Sequence, residues 1–269
     1  MKKEELDIFY KLWFPRNTNS ITIVASPSSE DLPCADPEHP NYTQIDTFDD
    51  RDAIYHIGML LSKRYPNAEI HLSCSDEFDR HRITDNLIVI GGPGGDYNNA
   101  DIDDANEICR FFSQEVCSKI TYEDIGNDEF KMIVNNDKKQ SEYKDKMLSL
   151  DYGYFSAFRN PKKTRNRVIM LHGIHTAGVL GAKKIFDGEE DQSKENLKIL
   201  DDFFKTKPYN FETFFKVGVF RGIASCPTFN TNSILLLDKK ETEKINKNGQ
   251  AKTNGDGSPA KTLTGIKVI

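Results

Sequence analysis

The chain lacks any long apolar run. Hydrophobic residues make up 37% of its 269 positions, and no stretch approaches the roughly 18 residues that a membrane helix requires. It also lacks a cysteine framework. The five cysteines, Cys34, Cys74, Cys109, Cys117 and Cys226, are odd in number and contain no C-x-x-C pair. Neither a disulfide scaffold nor a zinc ribbon is expected from such spacing. Cys109 and Cys117, flanking Phe111 and Phe112, read as buried free thiols. Excess positive charge is missing too. A net charge of −6 argues against bulk binding to a nucleic-acid backbone or an anionic membrane. The best local basic patch, 162–167, reads as a solvated loop before a strand. Met1-Lys-Lys-Glu-Glu leads into no apolar signal region, which makes the cytoplasm the default location.

Two nucleotide signatures are absent as well. There is no G-x-G-x-x-G and no Walker loop, since no Gly-Lys-Ser/Thr follows a glycine run. Two other glycine-rich loops are present, each at the end of an apolar strand. The first is Asn86-Leu-Ile-Val-Ile-Gly-Gly-Pro-Gly-Gly-Asp-Tyr-Asn-Asn99, and the second runs from Arg167 through Gly173-Ile-His-Thr-Ala-Gly178 to Gly181-Ala182. Glycine lets a backbone approach a ligand closely, and a following helix start offers free N–H groups to an anion. Two such loops in one domain point to a nucleotide or another phosphate-bearing ligand.

Periodicity organises the rest. Helices are expected at 3–13, 53–64, 100–118, 179–186 and 193–204. Strands are expected at 20–25, 68–73, 87–90, 129–134, 151–158, 168–171, 211–221 and 233–237. This order implies an α/β fold: Rossmann-like, with a mostly parallel central sheet, helices on both faces and a small antiparallel insertion near 120–160. One domain would cover 1–242. Residues 243–269, rich in Lys, Asn, Gly, Thr and Ser, read as a polar tail or mobile loop.

In such a sheet, ligands sit at the carboxyl ends of the strands. The site is therefore expected where 26–31, 91–99 and 172–178 converge. Gly91, Gly92, Gly94, Gly95, Asn98 and Asn99 of the first loop, with Gly173, Thr176 and Gly178 of the second, are the candidate ligand-binding residues. Asn99 has a competing reading as a helix N-cap. His175, Asp96 and Glu30 are the candidate catalytic residues: an imidazole suited to acid–base work near neutral pH, and two carboxylates able to engage a ribose. His172 is a weaker candidate than His175. Asp49, Asp50 and Asp52 read as helix-capping carboxylates in preference to a cation site, and no metal is expected. Arg159 reads equally as a phosphate partner or a turn residue.

Ile90-Gly-Gly-Pro, Asp151-Tyr-Gly, Asn160-Pro and Gly173-Ile-His-Thr-Ala-Gly178 together resemble a little-characterised bacterial Rossmann-like family. The strand–GGP loop distantly resembles SLOG-type nucleotide-sensing domains, which occur in prokaryotic antiviral systems. Asp96-Tyr-Asn-Asn99 interrupts the glycine-rich helix start usual in that pattern. The resemblance implies a nucleotide ligand and a role in defence or signalling. The resulting expectation is a nucleotide glycosidase or hydrolase that cleaves NAD or a nucleoside phosphate; the alternative is a non-catalytic nucleotide sensor. The partner would be a small-molecule nucleotide, with homo-oligomers allowed and neither nucleic acid nor membrane involved.

Overall fold

A computed structural model describes residues 2–28, 40, 43–93, 106–126, 129–205 and 209–237. Met1–Leu237 forms one compact unit, and the tail expected at 243–269 lies outside the described residues. The protein is a mixed α/β structure. Four parallel strands form one half of the main sheet: β1 (Ser20–Ala25), β2 (Glu69–Cys74), β3 (Leu87–Ile90) and β9 (Arg167–Gly173), in the spatial order β2-β1-β3-β9.

The other half is antiparallel. The 13-residue strand β8 (Met147–Arg159) pairs with β9, and β10 (Phe211–Phe220) pairs with β8. Short strands β7 (Glu142–Lys144), β11 (Ile223–Ala224) and β12 (Ile234–Leu236) finish its edges. A separate three-stranded antiparallel sheet holds β4 (Ile120–Gly126), β5 (Glu129–Val134) and β6 (Asp137–Lys139). The expected insertion is thus smaller than 120–160. Its last third, β8, has buried residues on both faces and joins the main sheet instead.

Alternation along the strands builds two cores. Ile21, Ile23, Ile88, Ile90, Ile169 and Leu171 point into a cluster shared with α1 (Lys3–Leu12), α2 (Arg51–Arg64), α4 (Thr176–Lys184) and α5 (Asp191–Phe204). Val24, Leu87, Val89, Val168 and Met170 point into a second cluster with α3 (Glu107–Glu115) and the small sheet. Strands that bury both faces must be apolar throughout, which is why Leu87–Ile90 and Val168–Leu171 lack polar alternation.

Three expectations shift. α3 begins at Glu107, and its cap is Asn106, not Asn99. The Asn106 side-chain oxygen accepts from the N–H groups of Ile108 (3.1 Å) and Cys109 (2.9 Å), while its Nδ2 donates to the Ile90 carbonyl at 2.8 Å. α4 begins three residues earlier than its apolar period suggests. Cys109 is buried, as expected, but Cys117 is exposed, because the chain leaves α3 there with φ 53°. Among the described residues no helix is long and apolar enough to cross a membrane.

Candidate functional site

The carboxyl ends of β1, β3 and β9 are knotted together by backbone. The Gly91 N–H donates to the Leu171 carbonyl at 3.1 Å. Gly91 has φ +96°, and a Cβ there would lie 2.1 Å from the buried Ser26 hydroxyl. Only glycine fits both the conformation and the space. Ser26 in turn accepts from the Asp49 N–H at 3.2 Å, Ser28 N–H donates to the Thr47 carbonyl at 2.9 Å, and Pro27 bridges Phe48. These links tie the start of α2 to the tip of β1.

Asp50 is the residue so positioned. It occupies the N-cap position of α2 in a left-handed conformation, φ 51° and ψ 32°, and its side chain does not cap that helix. The capping expectation fails for this residue. Its carboxylate instead takes a hydrogen bond from the Thr176 hydroxyl at the head of α4. Burial pushes its pKa up to about 6, the Thr176 bond opposes that rise, and the negative charges of Asp49 and Asp151 add to it.

Asp151 is the hub of the second glycine loop. One carboxylate oxygen accepts from the N–H groups of Gly178 (2.6 Å) and His175 (3.2 Å); the other accepts from the Ser141 hydroxyl and the Tyr152 N–H, both at 2.8 Å. A residue on β8 therefore satisfies the free donors at the head of α4, as a capping carboxylate does from within a helix. Burial raises its pKa, opposed chiefly by those bonds. The loop glycines serve this approach. A Cβ on Gly178 would meet the Tyr152 carbonyl oxygen at 2.3 Å, and one on Gly173 would meet the Gly178 Cα at 2.6 Å.

The two histidines separate. His172 lies inside β9, buried, its ring stacked on Tyr154 with centroids 3.7 Å apart and its Nδ1 2.5 Å from the Tyr122 hydroxyl. Burial alone drives its pKa down to about 3, so it is neutral. Tyr154 passes the network to buried Glu212 at 3.0 Å, which also accepts from the Ser118 hydroxyl and the Lys119 N–H, both at 2.6 Å. His175 is half-buried at the α4 N-cap, and its Nε2 lies 3.0 Å from the Tyr143 hydroxyl.

Of the expected site residues, Gly91, Gly173, His175, Thr176 and Gly178 meet at this edge, and Gly92 accepts the Asn106 N–H. Glu30, Gly94, Gly95, Asp96, Asn98 and Asn99 lie outside the described residues. Two groups at this edge, Asp50 and Arg110, are not among the site residues that the sequence predicts. Asp50 carried a signal, an acidic pair before a helix, that resembles ordinary capping. Arg110 carried none. Its Nε donates to the Pro93 carbonyl at 3.2 Å, and its Nη2 is buried with no partner among the described residues, a cation at the foot of the first glycine loop. Among the described residues, no group of three or more His, Cys, Asp or Glu side chains is arranged to hold a metal ion. No family model and no curated protein matches this chain.

Proposed function

We propose that this chain is a Rossmann-like nucleotide-binding protein, with helices on both faces of its sheet, that hydrolyses a nucleotide at the carboxyl edge of β1, β3 and β9. The order β2-β1-β3-β9 supports the fold reading, because a doubly wound sheet of that order binds ligands where it reverses, between β1 and β3. The observation that carries the function is Asp50. A carboxyl group held in a left-handed backbone conformation, with its pKa pushed up to about 6, is a group that gives and takes a proton near neutral pH.

The chemistry splits one water. The bond from the sugar or phosphorus to the leaving group breaks, the water oxygen bonds to the sugar carbon or phosphorus, and one proton passes to the leaving group. His175 is suited to accept the proton from water, and Asp50 to supply the leaving group's proton. Arg110 and the first glycine loop supply charge and N–H donors for a phosphate. NAD and nucleoside phosphates are the substrate class, and a role in prokaryotic defence or signalling rests on the SLOG-like resemblance alone.

A sensor that binds a nucleotide and returns it intact is the second reading. Asp151 favours it, since its carboxylate already fills the amide donors at the head of α4. Chromatography with mass detection decides. The protein is incubated with NAD, ATP, nucleoside monophosphates and cyclic nucleotides. A new product that vanishes in Asp50→Asn and His175→Ala supports hydrolysis. An unchanged panel, with saturable binding indifferent to both substitutions, establishes the sensor.

A further inference from the structure

A cleft lies at the end of β9 opposite the carboxyl edge. It has a volume of about 710 Å³ and is walled by α1 and by the turn joining β8 to β9. That size falls in the range of small-ligand pockets, roughly 300–1,000 Å³. β9 has seven residues, so this cleft is about 20 Å along the strand from the carboxyl edge.

Its lining inverts the charge of the molecule. In a chain of net charge −6, this one cleft gathers Arg16, Arg159, Arg165, Arg167 and Lys11 against a single carboxylate, Asp7. Lys11 is partly engaged by Asp201 at 3.4 Å. Among the described residues, none of the four guanidinium groups has a carboxylate within ion-pair distance.

Two of these arginines are forced together. Arg159 and Arg167 are direct cross-strand partners in the β8–β9 ladder, and like charges directly opposite one another are destabilising. Arg167 makes matters worse, because it is half-buried. Its Nη2 donates to the Tyr209 carbonyl at 2.7 Å, but its Nε is buried with no partner. Burial, followed by the charge of Arg159, lowers its pKa to about 10. Repulsion between two guanidinium groups beside a cleft, with donors left over, is the arrangement that a multiply charged anion relieves.

We propose that this cleft binds a compact oligophosphate, read by Arg159, Arg165, Arg167 and Arg16 as a fork of charge-assisted hydrogen bonds. The source is either free inorganic oligophosphate or the phosphate tail of a nucleotide. The site is separate from the carboxyl edge and stands whether or not that edge is catalytic.

Calorimetry with sodium tripolyphosphate at fixed salt tests it, using the full chain, an Arg159→Glu/Arg165→Glu variant and, as control, Arg221→Glu on the exposed β10–β11 turn at the other end of the sheet. Saturable one-to-one binding, weakened at least tenfold in the double variant and unchanged in the control, is expected. Arg159→Glu alone gives Arg167 a carboxylate, so it should melt higher than the parent without ligand while binding less. Repetition with ATP in an Asp50→Asn background assigns the source: tighter binding than tripolyphosphate means a nucleotide tail, equal or weaker binding a free oligophosphate. Absence of saturation, or equal loss in Arg221→Glu, overturns the proposal. So does a 12-nucleotide RNA that binds more tightly than tripolyphosphate at the same salt.

Discussion

Two clusters of titratable groups sit a few residues apart on β8 and β9, and they differ in what they leave free. In the inner one, His172, Tyr154, Tyr122 and Glu212 are buried, stacked and bonded to one another. In the outer one, Asp50 and His175 are half-buried and Thr176 is exposed, while Asp151 beneath them is sealed. His172 is moved further from its ordinary pKa than Asp50 is, yet it has no open face. A displaced pKa measures burial; chemistry also needs an atom that a ligand can reach.

Substitutions at the junction of the two clusters should break this contrast most severely. Gly178→Val drives a side chain into the Tyr152 carbonyl at 2.3 Å, where backbone lies on the other side and cannot yield. Loss of the cooperative thermal transition is expected, whereas Gly58→Ala, with nothing within 4 Å, should melt at or above the parent temperature. Asp151→Ala comes next. It removes the carboxylate that accepts from the His175, Gly178 and Tyr152 N–H groups and the Ser141 hydroxyl, leaving Gly178 only its bond to the His175 carbonyl, and a loss of about 3 kcal/mol in urea unfolding is expected. Asp151→Asn should lose less, because one oxygen can still accept.

The pH dependence sharpens the comparison, because the two clusters have opposite signs. His172 has a folded pKa below its unfolded one. Its contribution is complete above about 6.5 and is lost as pH falls toward about 3, with a slope of up to about 1.4 kcal/mol per pH unit. A His172→Phe variant should flatten stability between pH 6 and 4. Asp50 has a folded pKa above its unfolded one. Its contribution is complete below about 4 and is lost as pH rises through about 6. Asp50→Asn should therefore be more stable than the parent at pH 7, and the hydrolysis proposed above should fall with it. The smallest effect is His175→Ala, which should change stability by under about 0.5 kcal/mol; unfolding by that variant would move His175 into the inner, structural cluster.

Much of the fold was legible because burial writes itself into spacing. The runs Leu87–Ile90 and Val168–Leu171 became the adjacent parallel strands β3 and β9, and the apolar periods of α1, α2 and α5 fell within two residues of their observed bounds. Short elements were not. β4, β6, β7 and β11 are polar or only a few residues long, and each exists through its pairing with the next or preceding strand in a hairpin and not through an apolar period of its own. The candidate site was legible in part for the same reason. Gly91, Gly173 and Gly178 were readable as close-approach glycines, but what approaches them was not: Ser26, the Gly173–Gly178 backbone contact, and Asp151.

By itself, the amino-acid sequence determined the α/β alternation, the apolar strands and the glycine-marked edge, since local periodicity and backbone freedom need no partner to be read. Tertiary structure alone decided the fates of the charged groups. It sealed His172, spent Asp151 on the helix it faces, turned Asp50 from a cap into a half-buried carboxyl bonded to Thr176, and set Arg159 beside Arg167. The reason is physical: a side chain's protonation and free donors depend on the dielectric and the neighbours around it, and those neighbours come from segments that range from the facing strand of a hairpin, as for Arg159 and Arg167, to elements more than a hundred residues away, as for Asp50 and Thr176.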